Sequence, residues 1–236
     1  MRPIDISRIL GLSTSTLRNY ERQGLVPPSQ RSQAGYRMYT QEHLAYFECM
    51  EAMSPGFGME ITAQVVRGLQ AKQMDSVLWL VTKSQADLYR DRQLAERNIQ
   101  MLESQENGQI TRDESTELEW MTIGEASAET SIPASTIRHW EKIGLITLER
   151  DPQNGYRRIN RSQLRKISLL RTLRSAVYSD TVVQLKQAIA ELNHEDIAHA
   201  RKIAQETAQY LDKMNQKQLR GMYYLYALCR SLPLLE

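Results

Sequence analysis

Two short stretches of the chain carry hydroxyl and guanidinium side chains at the same spacing, followed by an amide in the first stretch and an imidazole in the second. The first, TSTLRNYERQGLV, runs from Thr14 to Val26, and the second, ASTIRHWEKIGLI, runs from Ala134 to Ile146. An arginine can donate two parallel hydrogen bonds to guanine, an asparagine can pair with adenine, and either can bind phosphate instead. These stretches therefore predict contact with the base edges of DNA by Ser15, Thr16, Arg18, Asn19, Ser135, Thr136, Arg138 and His139.

A second set of candidates follows each stretch, where AGYRMY and NGYRRI occupy 34–39 and 154–159. Asn154-Gly155 is a strong hairpin signal, and Ala34-Gly35 is a weaker version of it. Aromatic and basic residues beside a hairpin tip suit contact with the DNA backbone or a minor groove. The candidates are Tyr36, Arg37, Tyr39, Tyr156, Arg157 and Arg158. Burial in the core is the alternative that the sequence leaves open for Tyr36 and Tyr156.

The charge of the chain is distributed unevenly. The formal net charge of the whole chain is only +2, which does not by itself indicate a nucleic-acid partner. Between Ile137 and Arg174, however, ten basic residues stand against three acidic ones. A basic region around a short helix and a hairpin is typical of a phosphate-binding surface, although a solvated face can have the same composition.

The two stretches belong to a longer repeat with an offset of 120 residues, in which Gly, Arg and aromatic positions stay in register without a gap. In each copy the pattern predicts a short helix, a turn, a second helix and then a hairpin. The spacing Thr122-x-x-Glu125 predicts a capping box at the start of the second copy. Gly24 and Gly144 are placed to end the second helix. This order predicts two winged helix-turn-helix domains.

Each copy resembles the DNA-binding domain of the MerR family of bacterial transcription regulators, on the strength of STLRNYERQGLV with AGYRMY and STIRHWEKIGLI with NGYRRI. The resemblance implies double-stranded promoter DNA as the partner, with RNA polymerase at the same promoter. It also implies activation by bending and untwisting of the promoter, and dimerisation through a long antiparallel helix. The residues alone do not distinguish activation from repression.

Long helices are predicted after each copy. Apolar or small residues recur every seven positions at Met74, Val81, Leu88, Ala95 and Leu102, with a second, interrupted seam containing Leu78 and Ile99. From about His194 to Arg230 two further seams comprise Ile197, Ala204, Leu211, Gln218 and Leu225, and Ala200, Thr207, Met214, Gly221 and Leu228. Sustained heptads indicate helix-on-helix packing. We expect an antiparallel pair within one chain, hence a monomeric pseudo-dimer, with a homodimer as the alternative.

The predicted fold is therefore mainly α with small β wings. Its division is a first winged domain over 1–72, a coiled-coil helix over 73–107, a linker over 108–120, a second winged domain over 121–192, and a second long helix with an apolar, aromatic tail over 193–236. The tail, Met222 to Leu235, is expected to pack inside the protein, or else to form a surface for a small aromatic ligand or a second chain.

Other kinds of chemistry receive little support from the sequence. The chain has two cysteines, Cys49 and Cys229, and four dispersed histidines, so we expect no metal site, no cofactor and no disulfide. The sequence contains neither a phosphate loop nor a catalytic nucleophile motif, and we expect no enzyme activity. No apolar run suits a membrane span, and a cytoplasmic location is expected.

The predicted function is sequence-specific DNA binding and transcription regulation. Two alternatives remain at this point: a protein of the same fold that binds or sequesters a ligand, and an architectural DNA-binding protein. An unidentified small-molecule effector is compatible with any of these.

Overall fold

The computed structural model of the chain describes residues 1–107, 120–193 and 196–232. Within these ranges the protein is mainly helical with short antiparallel hairpins, which confirms the predicted fold class. The predicted linker lies outside the described residues except for Trp120, and so do His194 and the last three residues of the tail.

The first copy begins with four elements of a winged helix-turn-helix domain. They are α1 (Pro3–Leu10), α2 (Thr14–Arg22), β1 (Gln30–Arg31) and β2 (Arg37–Met38). Helix α3 (Gln41–Gln70) and the 33-residue helix α4 (Met74–Glu106) follow. The observed bounds of α4 agree with the predicted ones.

The second copy repeats this order with small differences. Its elements are β3 (Met121–Thr122), α5 (Ile123–Thr130), α6 (Ala134–Lys142), β4 (Glu149–Arg150), β5 (Arg157–Ile159), α7 (Arg161–Arg171), α8 (Asp180–Glu191) and α9 (Ile197–Ser231). The strand order β3-β5-β4 makes a three-stranded sheet here, whereas β1 and β2 form a two-stranded sheet in the first copy. In the first copy the backbone of Met1 exchanges hydrogen bonds with Tyr39, at the position where Met121 pairs with Ile159.

Local sequence explains where the short helices begin and end. Thr122 and Glu125 form the predicted capping box, because the Thr122 hydroxyl accepts from the Glu125 amide while the Glu125 carboxylate accepts from the Thr122 amide. Gly24 and Gly144 lie one residue beyond the C-caps of α2 and α6, with φ of 66° and 78°. A left-handed conformation at this position ends a helix and costs glycine little.

The hairpin after α6 differs in detail from the prediction. Arg150 pairs with Arg157, so residues 151–156 form a six-residue loop and not the two-residue turn that Asn-Gly alone favours. The Asp151 carboxylate accepts from the amides of Gln153 and Asn154, which fixes the loop. Side-chain hydrogen bonds to the backbone have therefore overridden the short turn.

The chain divides into two compact units. The first contains Met1–Ala86 with Lys213–Glu236, and the second contains Asp87–Asp212. Both α4 and α9 contribute one part to each unit. The earlier division into five segments remains a prediction.

In the second unit, α4 and α9 pair in opposite directions within the same chain. Arg92 of α4 forms an ion pair with Asp212 of α9 at 2.8 Å, while Glu106, further along α4, pairs with Arg201, nearer the start of α9. Because the residue number along α9 decreases as the residue number along α4 increases, these two segments are antiparallel, as expected.

The predicted heptads are correct on one face of α4 and on both faces of α9. Val81, Leu88, Ala95 and Leu102 are buried, and both α9 seams are buried except for half-buried Ile197. The second α4 seam was wrong, because Leu78 is exposed and Ile99 only half-buried. Val77, Asp91 and Asn98 occupy that face instead. Its polar members are satisfied by hydrogen bonds: Asp91 accepts from the amide and hydroxyl of Ser175, and Asn98 bonds to Ser168.

In the first unit, the C-terminal part of α9 crosses α3 at very short range. A Cβ added to Gly56 would lie 2.7 Å from the Gln218 backbone nitrogen, and one added to Gly221 would lie 3.1 Å from the Met53 Cα. The Gln218 side-chain amide donates to the Gly56 carbonyl at 3.1 Å. Leu225, Leu228 and Cys229 of α9 share a hydrophobic core with α3 and the start of α4. The described part of the predicted tail therefore packs partly into the protein, although Tyr223 and Tyr226 are exposed.

No helix in the described residues is both long enough and apolar enough to cross a membrane.

We predict that Gly56→Ala destabilises the protein, because the new methyl group meets backbone atoms of α9 that cannot move independently. The expected loss is about 1–3 kcal/mol in the free energy of unfolding. Gly124→Ala is the matched control, since the nearest atom to its added Cβ is 3.6 Å away, an ordinary contact. Urea denaturation measures both. Equal stability of the two variants would contradict the close crossing.

Candidate nucleic-acid interface

The predicted reading residues lie on the outer face of the second helix in each copy. Leu17 and Ile137 are completely buried and anchor α2 and α6. Ser15, Arg18, Ser135, Arg138 and His139 are exposed, while Thr16, Asn19 and Thr136 are half-buried. The arginines thus have free access to a ligand outside the domain.

The start of the helix is organised differently in the two copies. In α2 the Ser13 hydroxyl accepts from the Thr16 amide at 3.0 Å and lies 2.7 Å from the Ser15 hydroxyl and 2.8 Å from that of Thr16. Pro133 stands at the corresponding position before α6 and makes no side-chain cap. The hydroxyls of the first copy are consequently held in one hydrogen-bonded cluster on their cap, which the second copy lacks.

Asn19 and His139 are equivalent in sequence but differ in chemistry. The Asn19 carboxamide oxygen accepts from the Arg22 guanidinium at 3.2 Å, which directs the amide group of Asn19 away from that arginine. Arg22 was not among the predicted residues, although it is exposed on the same helix. Its spacing of three from Asn19 was the available signal.

An ion pair connects the second helix to the wing in both copies. The Arg37 guanidinium donates through Nε to Glu21 at 2.7 Å, and that of Arg157 donates through Nε to Glu141 at 2.6 Å. All four side chains are mostly buried, with exposed fractions between 13% and 32%. Because Nε carries the bond in each case, the terminal nitrogens of both arginines are not required for it. These arginines position the wing, a role that the sequence alone did not predict.

Glu21 is the most highly bonded carboxylate of this surface. It accepts from the backbone and hydroxyl of Ser29, from Arg37 and from the Tyr39 hydroxyl. Burial by itself would raise the pKa of Glu21, but the hydrogen bonds from Ser29 and Arg37 outweigh it and lower this pKa to about 2. The carboxylate is therefore ionised throughout the neutral and mildly acidic range.

The tip of each wing carries an exposed tyrosine, and an arginine donates a hydrogen bond to the backbone carbonyl just before it. Tyr36 and Tyr156 are 69% and 74% exposed, so neither belongs to the core. Arg31 donates to the Gly35 carbonyl at 2.9 Å, and Arg150 donates to the Gly155 carbonyl at 3.1 Å. Neither arginine was among the predicted residues, although each precedes its tip at nearly the same position.

Tyr39 is not a surface residue, which corrects the expectation that it contacts DNA. Its side chain is 2% exposed, packs edge-on against Phe47 with ring centroids 5.4 Å apart, and donates to Glu21. Burial, followed by the neighbouring Glu21 carboxylate, raises the pKa of Tyr39 to about 12. Tyr39 therefore supports the ion pair from inside the domain.

Arg158 is engaged within the protein on two sides. It donates to Glu149 at 3.0 Å, and its guanidinium carbon lies 3.9 Å from the centre of the Trp120 ring. Stacking on an aromatic ring leaves guanidinium edges usable for hydrogen bonds. Met38 replaces this residue in the first copy, so only the second wing has the stacked arginine.

Within the described ranges, no group of three or more His, Cys, Asp or Glu side chains is placed to hold a metal ion. Cys49 and Cys229 are buried free thiols, and burial raises the pKa of Cys49 to about 12. Both are thus poor nucleophiles at neutral pH.

We predict that Glu21→Gln destabilises the protein at neutral pH by roughly 1–3 kcal/mol, because a neutral amide cannot satisfy all the donors around it. The folded pKa lies below the ordinary value of 4.5. The ionised group therefore stabilises the fold above pH 4.5, and this contribution declines as the pH falls towards 2.

Urea denaturation at pH 7 and pH 3 checks this pH dependence. The difference in the free energy of unfolding between wild type and Glu21→Gln should be smaller at pH 3 than at pH 7. Glu60→Gln, at an exposed position, should be as stable as wild type at both pH values. If wild type and Glu21→Gln differed in the free energy of unfolding as much at pH 3 as at pH 7, the charge of Glu21 would not be the cause of the destabilisation.

Comparison with known proteins agrees with the geometry of these two surfaces. The sequence model of the family described as MerR family regulatory protein matches residues 2–39 and again residues 122–159. The HTH-type transcriptional regulator CueR of Escherichia coli O157:H7 is 41% identical over 63 residues, 26% of this chain and 47% of CueR. HmrR of Rhizobium leguminosarum bv. viciae, another HTH-type transcriptional regulator, is 38% identical over 95 residues, 39% of this chain and 71% of HmrR. The chain spans about half the length of CueR, and no solved structure matches.

Proposed function

Because the chain belongs to the MerR family, as two matches to the family model and the similarity to HmrR establish, we propose that it is a sequence-specific, DNA-binding transcription regulator. The observation that carries this proposal is the repeated arrangement of an exposed arginine on α2 or α6 beside a wing tied to the same helix by an ion pair. The relatives' printed description as transcriptional regulators supports it.

In this proposal α2 and α6 each enter a major groove. Arg18 and Arg138 reach guanine or phosphate, and Asn19 and His139 contact neighbouring bases. Tyr36 and Tyr156 at the wing tips contact the DNA backbone or a minor groove, together with the free guanidinium edges of Arg37, Arg157 and Arg158. The hydroxyls of Ser15, Thr16, Ser135 and Thr136 supply further hydrogen bonds near the helix starts.

The two reading surfaces differ enough for us to propose an asymmetric operator of about two helical turns. Asn19 can pair with adenine, whereas His139 has a different donor pattern, and only the first copy has the hydroxyl cluster on Ser13. The family resemblance adds promoter bending and untwisting, with RNA polymerase at the same promoter. Sequence-dependent deformation of DNA is the physical route for such a mechanism.

We predict that Arg18→Ala and Arg138→Ala each weaken binding to a selected operator by roughly 5- to 150-fold, the range for loss of a specific arginine contact. Sites are first selected from random DNA at several salt concentrations, and the variants are then compared by footprinting. Each substitution should remove protection from its own half-site. Arg97→Ala, which removes the same charge from the exposed face of α4, is the control and should bind normally.

Three outcomes would contradict this proposal. If the wild-type protein protected only one half-site, the proposal of two reading surfaces would be excluded. A steep salt dependence without an enriched sequence would indicate architectural binding instead. Retention of the fold but no binding to any DNA would favour a ligand-binding protein.

We also propose that one chain supplies both surfaces, so that the protein is monomeric. The antiparallel pairing of α4 with α9 inside one chain, through Arg92–Asp212 and Glu106–Arg201, supports this arrangement. Light scattering of the free protein should give a mass near 27.3 kDa, and titration with the operator should give one chain bound per operator. A stable species of twice that mass would indicate a homodimer.

A further inference from the structure

An open cleft lies in the first unit where α3 turns into α4. It has a volume of about 530 Å³ and is lined by Gln64, Arg67, Gly68, Ala71, Gln73, Ser76, Val77 and Leu80. Val77 is buried, Gly68 and Leu80 are half-buried, and the polar side chains around them are exposed. The cleft thus has an apolar floor with a polar rim. The volume is within the range of small-molecule sites.

The rim carries a positive charge and hydrogen-bond donors. Arg67 supplies a guanidinium, and Gln64, Gln73 and Ser76 supply amide and hydroxyl groups, while no lining residue is acidic. Ser76 lies in the first turn of α4, where the partial positive charge of a 33-residue helix is concentrated. Lys72 and Asp75 are the nearest charged residues along the chain; both are exposed and neither lines the cleft. An anion with a compact apolar body fits these groups.

Arg67 also contacts the end of the proposed reading helix. Its Nη2 donates to the carbonyl of Gln23, the C-cap of α2, at 3.1 Å. The neighbouring Gln70 donates to the Gly24 carbonyl at 3.2 Å. A carboxylate in the cleft that accepts two parallel hydrogen bonds from Arg67 would require the guanidinium fork to turn into the cleft, away from the Gln23 carbonyl. Occupancy of the cleft would therefore loosen the attachment of α2.

The second copy lacks this arrangement. Buried Thr62, Val65 and Leu69 of α3 correspond to buried Val182, Leu185 and Ile189 of α8 at the constant offset of 120. At the same offset Gln187 replaces Arg67, and it donates to Glu191 on its own helix. The cationic group is thus confined to the first copy.

We propose that the cleft between α3 and α4 binds a small organic carboxylate, and that binding releases Arg67 from Gln23 and weakens DNA binding by the first copy. The second step of this inference rests on the proposed function. The first step, binding of the carboxylate, is independent of DNA. Benzoate is a suitable probe because it combines one carboxylate with a compact apolar ring, and benzamide is its uncharged counterpart.

Titration of the full-length protein with benzoate, followed by NMR, tests the site without DNA. We expect saturable shifts for residues of the cleft, and binding of benzamide that is at least about tenfold weaker, because it lacks the charge that Arg67 recognises. Arg67→Gln, which installs the side chain of the second copy, should reduce benzoate binding to the benzamide level. Ser76→Glu, at an exposed position where folding is not threatened, should do the same by repulsion.

The control Arg97→Ala should bind benzoate like wild type. Equal binding of benzoate and benzamide would overturn the proposal, and so would unchanged benzoate binding by Arg67→Gln and Ser76→Glu, or the absence of saturable shifts.

Operator binding measured with and without benzoate tests the coupling. Saturating benzoate should weaken operator binding by wild type about fivefold or more, and should leave Arg67→Gln unaffected. An unchanged affinity of wild type would refute the coupling while the NMR result stands. If no operator is bound at all, the proposed function fails, whereas the carboxylate site is still decided by the NMR titration.

Discussion

The arrangement of each reading surface depends on one ion pair between the second helix and the wing. Glu21 with Arg37, and Glu141 with Arg157, join elements that are separated by sixteen residues in sequence. A two- or three-residue strand has too few backbone hydrogen bonds to hold a hairpin in one orientation. The carboxylate supplies the missing constraint, and in the first copy Ser29 and Tyr39 add further bonds to it. The exposed arginine of the second helix and the tyrosine at the wing tip are thereby held in a fixed arrangement on one surface.

The long helices impose a different constraint, because their contacts include polar groups and glycine rather than leucine alone. Asp91 and Asn98 in the second unit, and Gln218 in the first, are buried and bonded to hydroxyl, amide or carbonyl groups of helices or turns they pack against. Most buried polar groups in folded proteins have a hydrogen-bond partner. Such contacts select one packing partner more strictly than an apolar seam does. Gly56 and Gly221 similarly permit one close crossing in the first unit.

The two copies retain the same internal supports but differ on their surfaces. The ion pair, the wing-tip arginine and the anchor at Leu17 or Ile137 occur in both. By contrast, Ser13 becomes Pro133, Asn19 becomes His139, Met38 becomes Arg158 and Arg67 becomes Gln187. Surface positions tolerate change because they do not determine packing. A single chain with two copies can therefore present unlike surfaces on one scaffold.

The sequence by itself determined the duplicated domains, the bounds of α4 and the ends of α2 and α6 at Gly24 and Gly144. Those features follow from local periodicity, capping residues and glycine positions, which act over a few residues. It did not determine that Tyr39 is buried, that Arg37 and Arg157 bond to the reading helices, or that Asp91 and Asn98 occupy the α4 face assigned to Leu78 and Ile99. These depend on residues that are distant in sequence: the ion-pair partners are sixteen positions apart, and Ser168 and Ser175 lie 70 and 84 positions from Asn98 and Asp91. Only the tertiary structure brings such partners together, because a polar residue is buried or exposed according to whether a bonding partner reaches it.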